Sequence, residues 1–153
     1  MDELIHSSRE NLGMKIIPRE RAGIGVLRAL KRGEILAMLI DVPDPDQTVV
    51  VDFLGAPAEV SDVPARIALR TGAWVVPAAV LRGPQRDTII RPIIDTQTAR
   101  YEATGDEKRD ILALTQLIMR ALERFVLEHP EQWYIFRSMW PHAAQPSLSM
   151  ERR

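Results

Sequence analysis

The stretch DEKRDILALTQLIMRALERFVLE, residues 106–128, decides most of what the sequence predicts about the fold. Its apolar side chains recur at helical spacing and leave charged residues on the other faces, which is the pattern of an amphipathic helix lying on a sheet. The apolar positions are Ile111, Leu112, Leu114, Ile118, Ala121, Leu122, Phe125 and Val126. We therefore predict one long helix that covers a hydrophobic core.

Strand-like and helical segments precede this helix. Apolar runs typical of strands lie at 12–18, 34–41, 48–55, 73–82 and 87–94. Two helical segments separate them: a basic one that ends at Gly33, and a second that begins near Asp62 and Pro64. This order predicts an α/β fold with a mixed sheet flanked by helices. We expect a single domain over 1–153, with a disordered tail at 142–153.

The composition excludes several classes of protein. Twenty Lys and Arg against 21 Asp and Glu leave a formal charge of −1, so no bulk positive field favours a nucleic acid partner. The chain has no cysteine, which excludes disulfides, a thiolate nucleophile and cysteine-ligated metals. The longest apolar stretches are far shorter than the roughly 20 residues that span a bilayer. The acidic N-terminus is no signal peptide, so we expect a soluble or peripheral protein without metal or other cofactor.

Three short motifs point to no defined catalytic chemistry. GIGVLR, residues 23–28, lacks the third glycine of a dinucleotide-binding turn and lies inside a helical pattern. Asp41, Asp44 and Asp46 lack the glycine and distal glutamate of a calcium loop, so a solvated acidic turn is favoured. Asp41 alone follows a predicted strand, at the end where open α/β sheets bind ligands. The three histidines are widely spaced and no G-x-S-x-G motif is present, so these patterns identify no catalytic residue.

The segment HPEQWYIFRSMWP, residues 129–141, holds two of the three tryptophans. Pro130 can open a short helix, and if that helix continues four residues share one face. They are Trp133, Phe136, Arg137 and Trp140. Two interpretations stay open. The segment either caps the core, because tryptophan buries a large area, or forms an amphipathic rim at a membrane, with the arginine holding a phosphate or carboxylate.

The same segment closely resembles the C-terminal signature of the bacterial lipid A late acyltransferases and of the related phosphatidylinositol mannoside acyltransferases. Other segments match in the right order. LRALKRGEILAMLID resembles the stretch that leads to an aspartate, VDFLGAPAEVS the Phe-Phe-Gly segment, and VPARIALRTGAWVVPAAVLR the helix and strand around a Thr-Gly-Ala turn. The resemblance runs from about Leu12 to Pro141 and implies a glycerolipid acyltransferase-like fold.

The resemblance also implies an activity, partners and site residues. The activity is transfer of a fatty acyl group from acyl carrier protein or coenzyme A to a hydroxyl of a membrane glycolipid or lysophospholipid. The chain would act peripherally at the cytoplasmic face of the bacterial inner membrane. The implied substrate-binding residues are Arg19, Arg21, Asp41, Phe53, Gly55, Pro77, Gln132, Trp133 and Arg137. Among them the arginines at 19 or 21 would meet a phosphate, and Asp41 would stand near the acceptor.

One departure from the family pattern concerns its catalytic motif, a histidine followed after four residues by Asp or Glu. His6 is followed at that spacing by Asn11, and SSRENLGMKII resembles the segment downstream of the motif. We therefore expect an incomplete, C-terminal part of such an enzyme, whose partner is a missing N-terminal half or a second copy. The alternatives are a non-catalytic lipid- or acyl-carrier-binding module, and a soluble hydrolase or transferase that uses His6 or His129 as its base.

Overall fold

The computed structural model describes residues 2–18, 22–40, 47–83, 91–98, 101–135 and 139–140. The chain divides into two compact units, Met1–Met38 and Leu39–Arg153. The predicted acidic turn at 41–46, residues 84–90 and the predicted tail at 142–153 lie outside the described residues.

The first unit contains two helices, α1 (Asp2–Asn11) and α2 (Ala22–Lys31). The sequence patterns predict α2 and its end near Gly33, whose φ of 73° is left-handed, but they do not predict α1. Within α2, a Cβ added to Gly25 would come within 2.8 Å of the Ile17 Cγ2 atom. This close approach explains why residue 25 of the GIG motif is a glycine, and the explanation requires no bound nucleotide.

Two of the predicted strands are absent from the described residues. Residues 12–18 and 34–40 are irregular there, and Ile35 is 98% exposed. Glu34 instead bonds Lys15 at 2.7 Å and Arg32 at 3.0 Å. The bond from Arg32, followed by that from Lys15, lowers the pKa of Glu34 to about 2. The prediction was wrong because apolar and β-branched composition gives only a propensity, whereas a strand needs a neighbour to bond with.

The second unit begins with an antiparallel hairpin of β1 (Thr48–Phe53) and β2 (Ala56–Ser61). Leu54 and Gly55 both have positive φ, 52° and 79°, as a two-residue hairpin turn requires when its twist matches that of the strands. The sequence pattern predicts β1 but not β2. Ala58 and Val60 point inside, but alanine, proline and glutamate make up most of β2, and these residues are depleted in strands.

A second antiparallel hairpin pairs β3 (Ala78–Leu81) with β4 (Arg91–Ile94). Both strands lie within the predicted segments, over shorter ranges. Within the described parts of the chain, the strands form two separate two-stranded antiparallel sheets instead of the single mixed sheet we predicted. A parallel pairing would have needed the 34–41 segment, whose described residues stay unpaired. The α/β class itself is confirmed.

Two helices pack in this unit, α3 (Val63–Thr71) and α4 (Glu107–Glu128). As predicted, α3 follows Asp62, has proline in its first turn and stops at Gly72, where φ is 69°. The Asp106 side chain caps α4 by accepting from the Arg109 amide at 3.2 Å. The core lies between the first hairpin and these helices; it includes Val51, Phe53, Val60, Ala65, Ala68, Ile111, Leu114, Ile118 and Met119. None of the helices described is both long and apolar enough to cross a bilayer.

A buried carboxylate, Asp110, ties the start of α4 to the preceding loop. Its side chain is 2% exposed and accepts hydrogen bonds from the Tyr101 hydroxyl at 2.9 Å and the Thr104 hydroxyl at 2.8 Å. The amides of Thr104 and Gly105 also donate to it, each at 3.0 Å. These bonds, first of all the one from the Thr104 amide, lower the pKa of Asp110 to about 2.

Replacing Asp110 by asparagine tests this arrangement through the pH dependence of stability. Because the folded pKa lies below the ordinary value of 3.8, the carboxylate stabilises the fold above about pH 4. That contribution is lost as the pH falls from about 4 to about 2. We expect Asp110→Asn to lower the Tm at pH 7 by roughly 5–10 °C. The variant should also lose much of the decrease in Tm that the wild type shows as the pH falls from about 4 to about 2.

Thermal unfolding followed by circular dichroism from pH 7 to pH 2 measures both effects. The matched control is Asp106→Asn, which keeps a side-chain acceptor at the helix cap. Its Tm should still decrease at low pH as the Tm of the wild type does. An Asp110→Asn profile parallel to that of the wild type would contradict the assignment.

Candidate functional site

Three aromatic side chains meet at the end of β1 and form what we call the aromatic cluster: Phe53, Trp133 and Trp140. The ring of Phe53 meets Trp133 edge-on, with centroids 5.6 Å apart, and stacks on Trp140 at 6.4 Å. The two indoles are 6.5 Å apart and nearly perpendicular. The Trp140 Nε1 atom donates to the carbonyl oxygen of Phe53 at 3.3 Å. The three ring pairs therefore adopt the edge-to-face and stacked geometries that aromatic rings prefer.

Polar side chains of α4 fix the strand end that carries this cluster. Gln116 bonds both backbone groups of Asp52, accepting from its amide at 2.9 Å and donating to its carbonyl at 2.8 Å. Glu123 accepts from the Leu54 amide at 2.8 Å. Neither residue is predicted as a site residue from the sequence, because their i, i+7 spacing on one side of α4 is the only signal that they carry.

The C-terminal segment reaches the cluster by docking along β2. The Glu59 amide donates to the carbonyl of Met139 at 2.7 Å, and Met139 is 2% exposed. The helix predicted from Pro130 is a single 3-10 turn, Pro130–Gln132, after which Trp133 is extended at φ −98° and ψ 104°. Both tryptophans nevertheless pack against the core. This arrangement favours the interpretation of the segment as a core cap.

Gln132 and Pro77 lie around the second hairpin. Gln132 accepts from the Arg82 amide at 2.7 Å and donates to the Arg82 carbonyl at 3.2 Å. Pro77 is buried, and its carbonyl accepts from the Asp95 amide at 2.9 Å. Asp95 itself is 8% exposed and pairs with Arg124 of α4. The 3-10 turn and α4 therefore both hold the second hairpin.

The pKa of Asp95 is set by opposing effects. Burial acts to raise it, but hydrogen bonds from Thr98 and Gln97, with the charge of Arg124, outweigh burial and leave the pKa below its ordinary value. Asp95 is therefore a structural anion of the fold, and no proton transfer is assigned to it.

The structure brings together part of the predicted site. Phe53 contacts Trp133, Gly55 forms the turn directly after β1, and Gln132, next to Trp133, bonds Arg82 directly after β3. Pro77 is bonded to Asp95 at the start of β3. The remaining predicted residues lie outside the described residues; they are Arg19, Arg21, Asp41 and Arg137.

Two histidines fall within the described ranges. His6 is exposed on α1, and the His129 Nδ1 atom lies 3.9 Å from Glu131 in a pair that is 37% and 66% exposed. Such an exposed pair is typical of a surface contact. Across the part of the chain that the structure describes, no three metal-ligating side chains come together. The described site is an aromatic cluster whose strand end is held by side chains of α4.

The second unit is a small α/β fold in which α4 and the C-terminal segment together fix an aromatic strand end. More narrowly, the chain belongs to the bacterial lipid A biosynthesis acyltransferase family, whose model matches residues 1–142. This finding confirms the resemblance read from the sequence.

The chain is also similar to two curated acyltransferases. The phosphatidylinositol mannoside acyltransferases of Mycobacterium tuberculosis strains ATCC 25618 / H37Rv and CDC 1551 / Oshkosh are each 27% identical over 137 residues. Each match covers 86% of this chain and 40% of the relative, so the chain spans about two fifths of the length of the curated relatives it matches. No solved structure matches the chain.

Proposed function

We propose that this chain supplies a substrate-binding wall for transfer of a fatty acyl group from an acyl thioester to a hydroxyl of a membrane glycolipid or lysophospholipid. The observation that carries the proposal is family membership over residues 1–142, together with an aromatic cluster built from two of the segments that resemble the family's site. The thioester is carried by acyl carrier protein or coenzyme A. The chain works peripherally at the cytoplasmic face of the inner membrane.

The transfer is a balanced acyl exchange. The acceptor oxygen attacks the thioester carbonyl carbon, a C–O bond forms, the C–S bond breaks, and the thiolate leaves and takes up the acceptor's proton. An imidazole oriented by a carboxylate moves that proton in such reactions. Five positions after His6, His129 and His142 stand Asn11, Tyr134 and Ser147, none of them acidic. In our proposal the base comes from polypeptide outside these 153 residues, and the chain binds and orients.

Within this proposal, different predicted residues contact different parts of the substrates. The arginines at 19 and 21 hold a phosphate of the carrier or the acceptor, because guanidinium groups bind phosphate through two hydrogen bonds. Asp41 lies beside the acceptor hydroxyl. The wall along the acyl group comprises Gly55, Gln132 and Trp133, supported from behind by the buried Phe53 and Pro77, and Arg137 holds a phosphate or carboxylate.

A binding titration tests the phosphate contact without requiring turnover. We expect the chain to bind the hexadecyl thioether analogue of acyl-coenzyme A, measured by isothermal titration calorimetry. The double variant Arg19→Gln, Arg21→Gln should bind about tenfold more weakly, because two charge-assisted contacts are removed. Arg120→Gln, an exposed arginine on α4, is the matched control. Equal affinity of the double variant and this control would contradict the phosphate role.

A second candidate function is a non-catalytic lipid- or acyl-carrier-binding module. It is favoured by one observation, the presence of the aromatic cluster in a sequence where no histidine has the family's carboxylate partner. Expression of the complete genomic reading frame that contains these residues separates the two functions. Acyl transfer by that product supports the enzyme, whereas analogue binding without transfer supports the module.

A further inference from the structure

The outer edge of β1, which faces away from β2, is closed at Asp52 by a glutamine side chain. Asp52 lies opposite Pro57, which has no amide hydrogen, so this pair exchanges no ladder bonds and the backbone groups of Asp52 point outward. Gln116 of α4 accepts from the Asp52 amide at 2.9 Å and donates to the Asp52 carbonyl at 2.8 Å. One side-chain amide therefore makes the two bonds that a neighbouring strand would make at this residue.

The second hairpin repeats this arrangement. Val80 lies opposite Pro92, so the backbone groups of Val80, and those of Arg82 two residues later, point away from β4. Gln132 accepts from the Arg82 amide at 2.7 Å and donates to the Arg82 carbonyl at 3.2 Å. In both hairpins, a glutamine from another element thus bonds both outward backbone groups of a residue at the end of the first strand.

The outer edge of β1 is open beside Asp52. Outward backbone groups recur at every second residue, so those of Val50 also point away from β2, and no hydrogen bond to them is found within the described residues. The partner strand follows the same alternation, because Glu59, opposite Val50, donates its outward amide to Met139. Val50 is 53% exposed, and the β1 sequence TVVVDF is rich in β-branched residues. An exposed edge of this composition is a template for pairing with another chain.

The strand that fits this edge is β1 of a second copy. Antiparallel pairing centred on Val50 would place Val50 opposite its own copy, and Thr48 of each chain opposite Asp52 of the other. Both outer pairs would need the amide and carbonyl of Asp52, which Gln116 already bonds. Only the bonds between the two copies of Val50 would remain, and a single pair of backbone bonds contributes too little to hold two chains together.

We propose that Gln116 and Gln132 are edge caps, which keep the two hairpins from pairing edge to edge with a second copy of the chain. A primary amide suits this task because it carries both an acceptor and a donor, as the peptide group does. The caps require no ligand and no acyl transfer. The inference therefore goes beyond the proposed function, and either of the two can fail without the other.

Replacing Gln116 by methionine tests the cap on β1. Methionine has a similar length but makes neither bond, so the backbone groups of Asp52 become available to a second chain. We expect the variant to self-associate at least tenfold more tightly than the wild type, because two further pairs of backbone bonds form in the dimer. Sedimentation velocity over a range of concentrations measures the association. The matched control is Gln97→Met, which makes the same change at an exposed glutamine after β4 and should behave like the wild type.

Two further variants show whether the association occurs through this edge. Gln116→Lys also removes the acceptor for the Asp52 amide but places a charge at the edge, which opposes strand pairing, so this variant should stay monomeric. The chain has no cysteine, so Val50→Cys introduces a single thiol at the centre of the expected pairing. Mild oxidation should link two chains through this thiol when Gln116→Met is also present, and rarely when Gln116 is intact.

Amide hydrogen exchange of the wild type, followed by nuclear magnetic resonance, tests both edges without a substitution. The amides of Asp52 and Arg82 should be protected, whereas those of Val50 and Val80 should exchange much faster. The proposal is overturned if capped and open amides exchange alike, or if Gln116→Met is as monomeric as Gln97→Met. It is also overturned if Gln116→Met and Gln116→Lys associate equally, or if the thiol at position 50 links wild-type and Gln116→Met chains to the same extent.

Discussion

Replacement of Phe53 by alanine is expected to lower the free energy of unfolding by about 3–5 kcal/mol. Phe53 is 2% exposed and contacts both indoles of the aromatic cluster, so the smaller side chain leaves a cavity between Trp133 and Trp140. The surrounding backbone cannot close that cavity easily, because Gln116 and Glu123 clamp the strand on both sides of residue 53. Urea unfolding followed by tryptophan fluorescence measures the loss, since two of the three indoles report on this site.

Two controls separate the cavity from general effects of substitution. Phe53→Leu keeps most of the volume and should cost about 1–1.5 kcal/mol. Leu112→Ala removes an apolar side chain that is 44% exposed on α4 and should change stability by roughly 0.5 kcal/mol or less. If Phe53→Ala costs no more than Leu112→Ala, the aromatic cluster does not stabilise the core as described.

The second large effect is on the rate of acyl transfer. The purified chain is expected to turn over acyl thioesters on the order of 10²–10⁴-fold more slowly than a chain that carries the family's histidine and carboxylate pair. The physical reason is that a hydroxyl is a poor nucleophile until a base takes its proton, and binding and orientation alone do not supply that base. Thiol release from acyl-coenzyme A and acyl carrier protein, with a lysophospholipid as acceptor, measures the rate.

Histidine variants test whether a histidine of this chain is the base for any residual acyl transfer. His6→Ala and His129→Ala should leave the small residual rate unchanged, because His6 is exposed and the described contact of the half-buried His129 is a surface pair with Glu131. Robust turnover that one of these substitutions abolishes would identify a base within the chain, and the proposal that the base lies elsewhere would then be wrong.

The sequence predicted best those elements whose signals are local. The apolar repeat from 106 to 128 predicts α4, observed as Glu107–Glu128, and the proline and glycine around 64 and 72 predict the bounds of α3. The strands of the second hairpin also lie within their predicted segments. Helix periodicity, caps and stops depend on residues close in the chain, so one sequence suffices to read them.

Two residues of the aromatic cluster were singled out from the sequence, but the geometry in which they meet was not predicted. The resemblance pointed to Phe53 and Trp133, which are in contact, yet the helix expected to align Trp133 with Trp140 stops at Gln132. The two indoles meet because Met139 bonds to β2, a pairing between residues 80 positions apart that no local pattern encodes. The clamps from Gln116 and Glu123 escaped prediction for the same reason.

What the sequence alone determined is the family, the α/β class and the helices whose side chains repeat at 3.6-residue spacing. Only the tertiary structure decided that 48–53 pairs with 56–61 whereas 34–40 has no strand partner among the described residues, and that Trp133 and Trp140 face the core while Trp74 faces out. The physical reason is that a helix satisfies its backbone hydrogen bonds within itself, whereas a strand or a buried ring is stabilised by groups that chain order does not reveal.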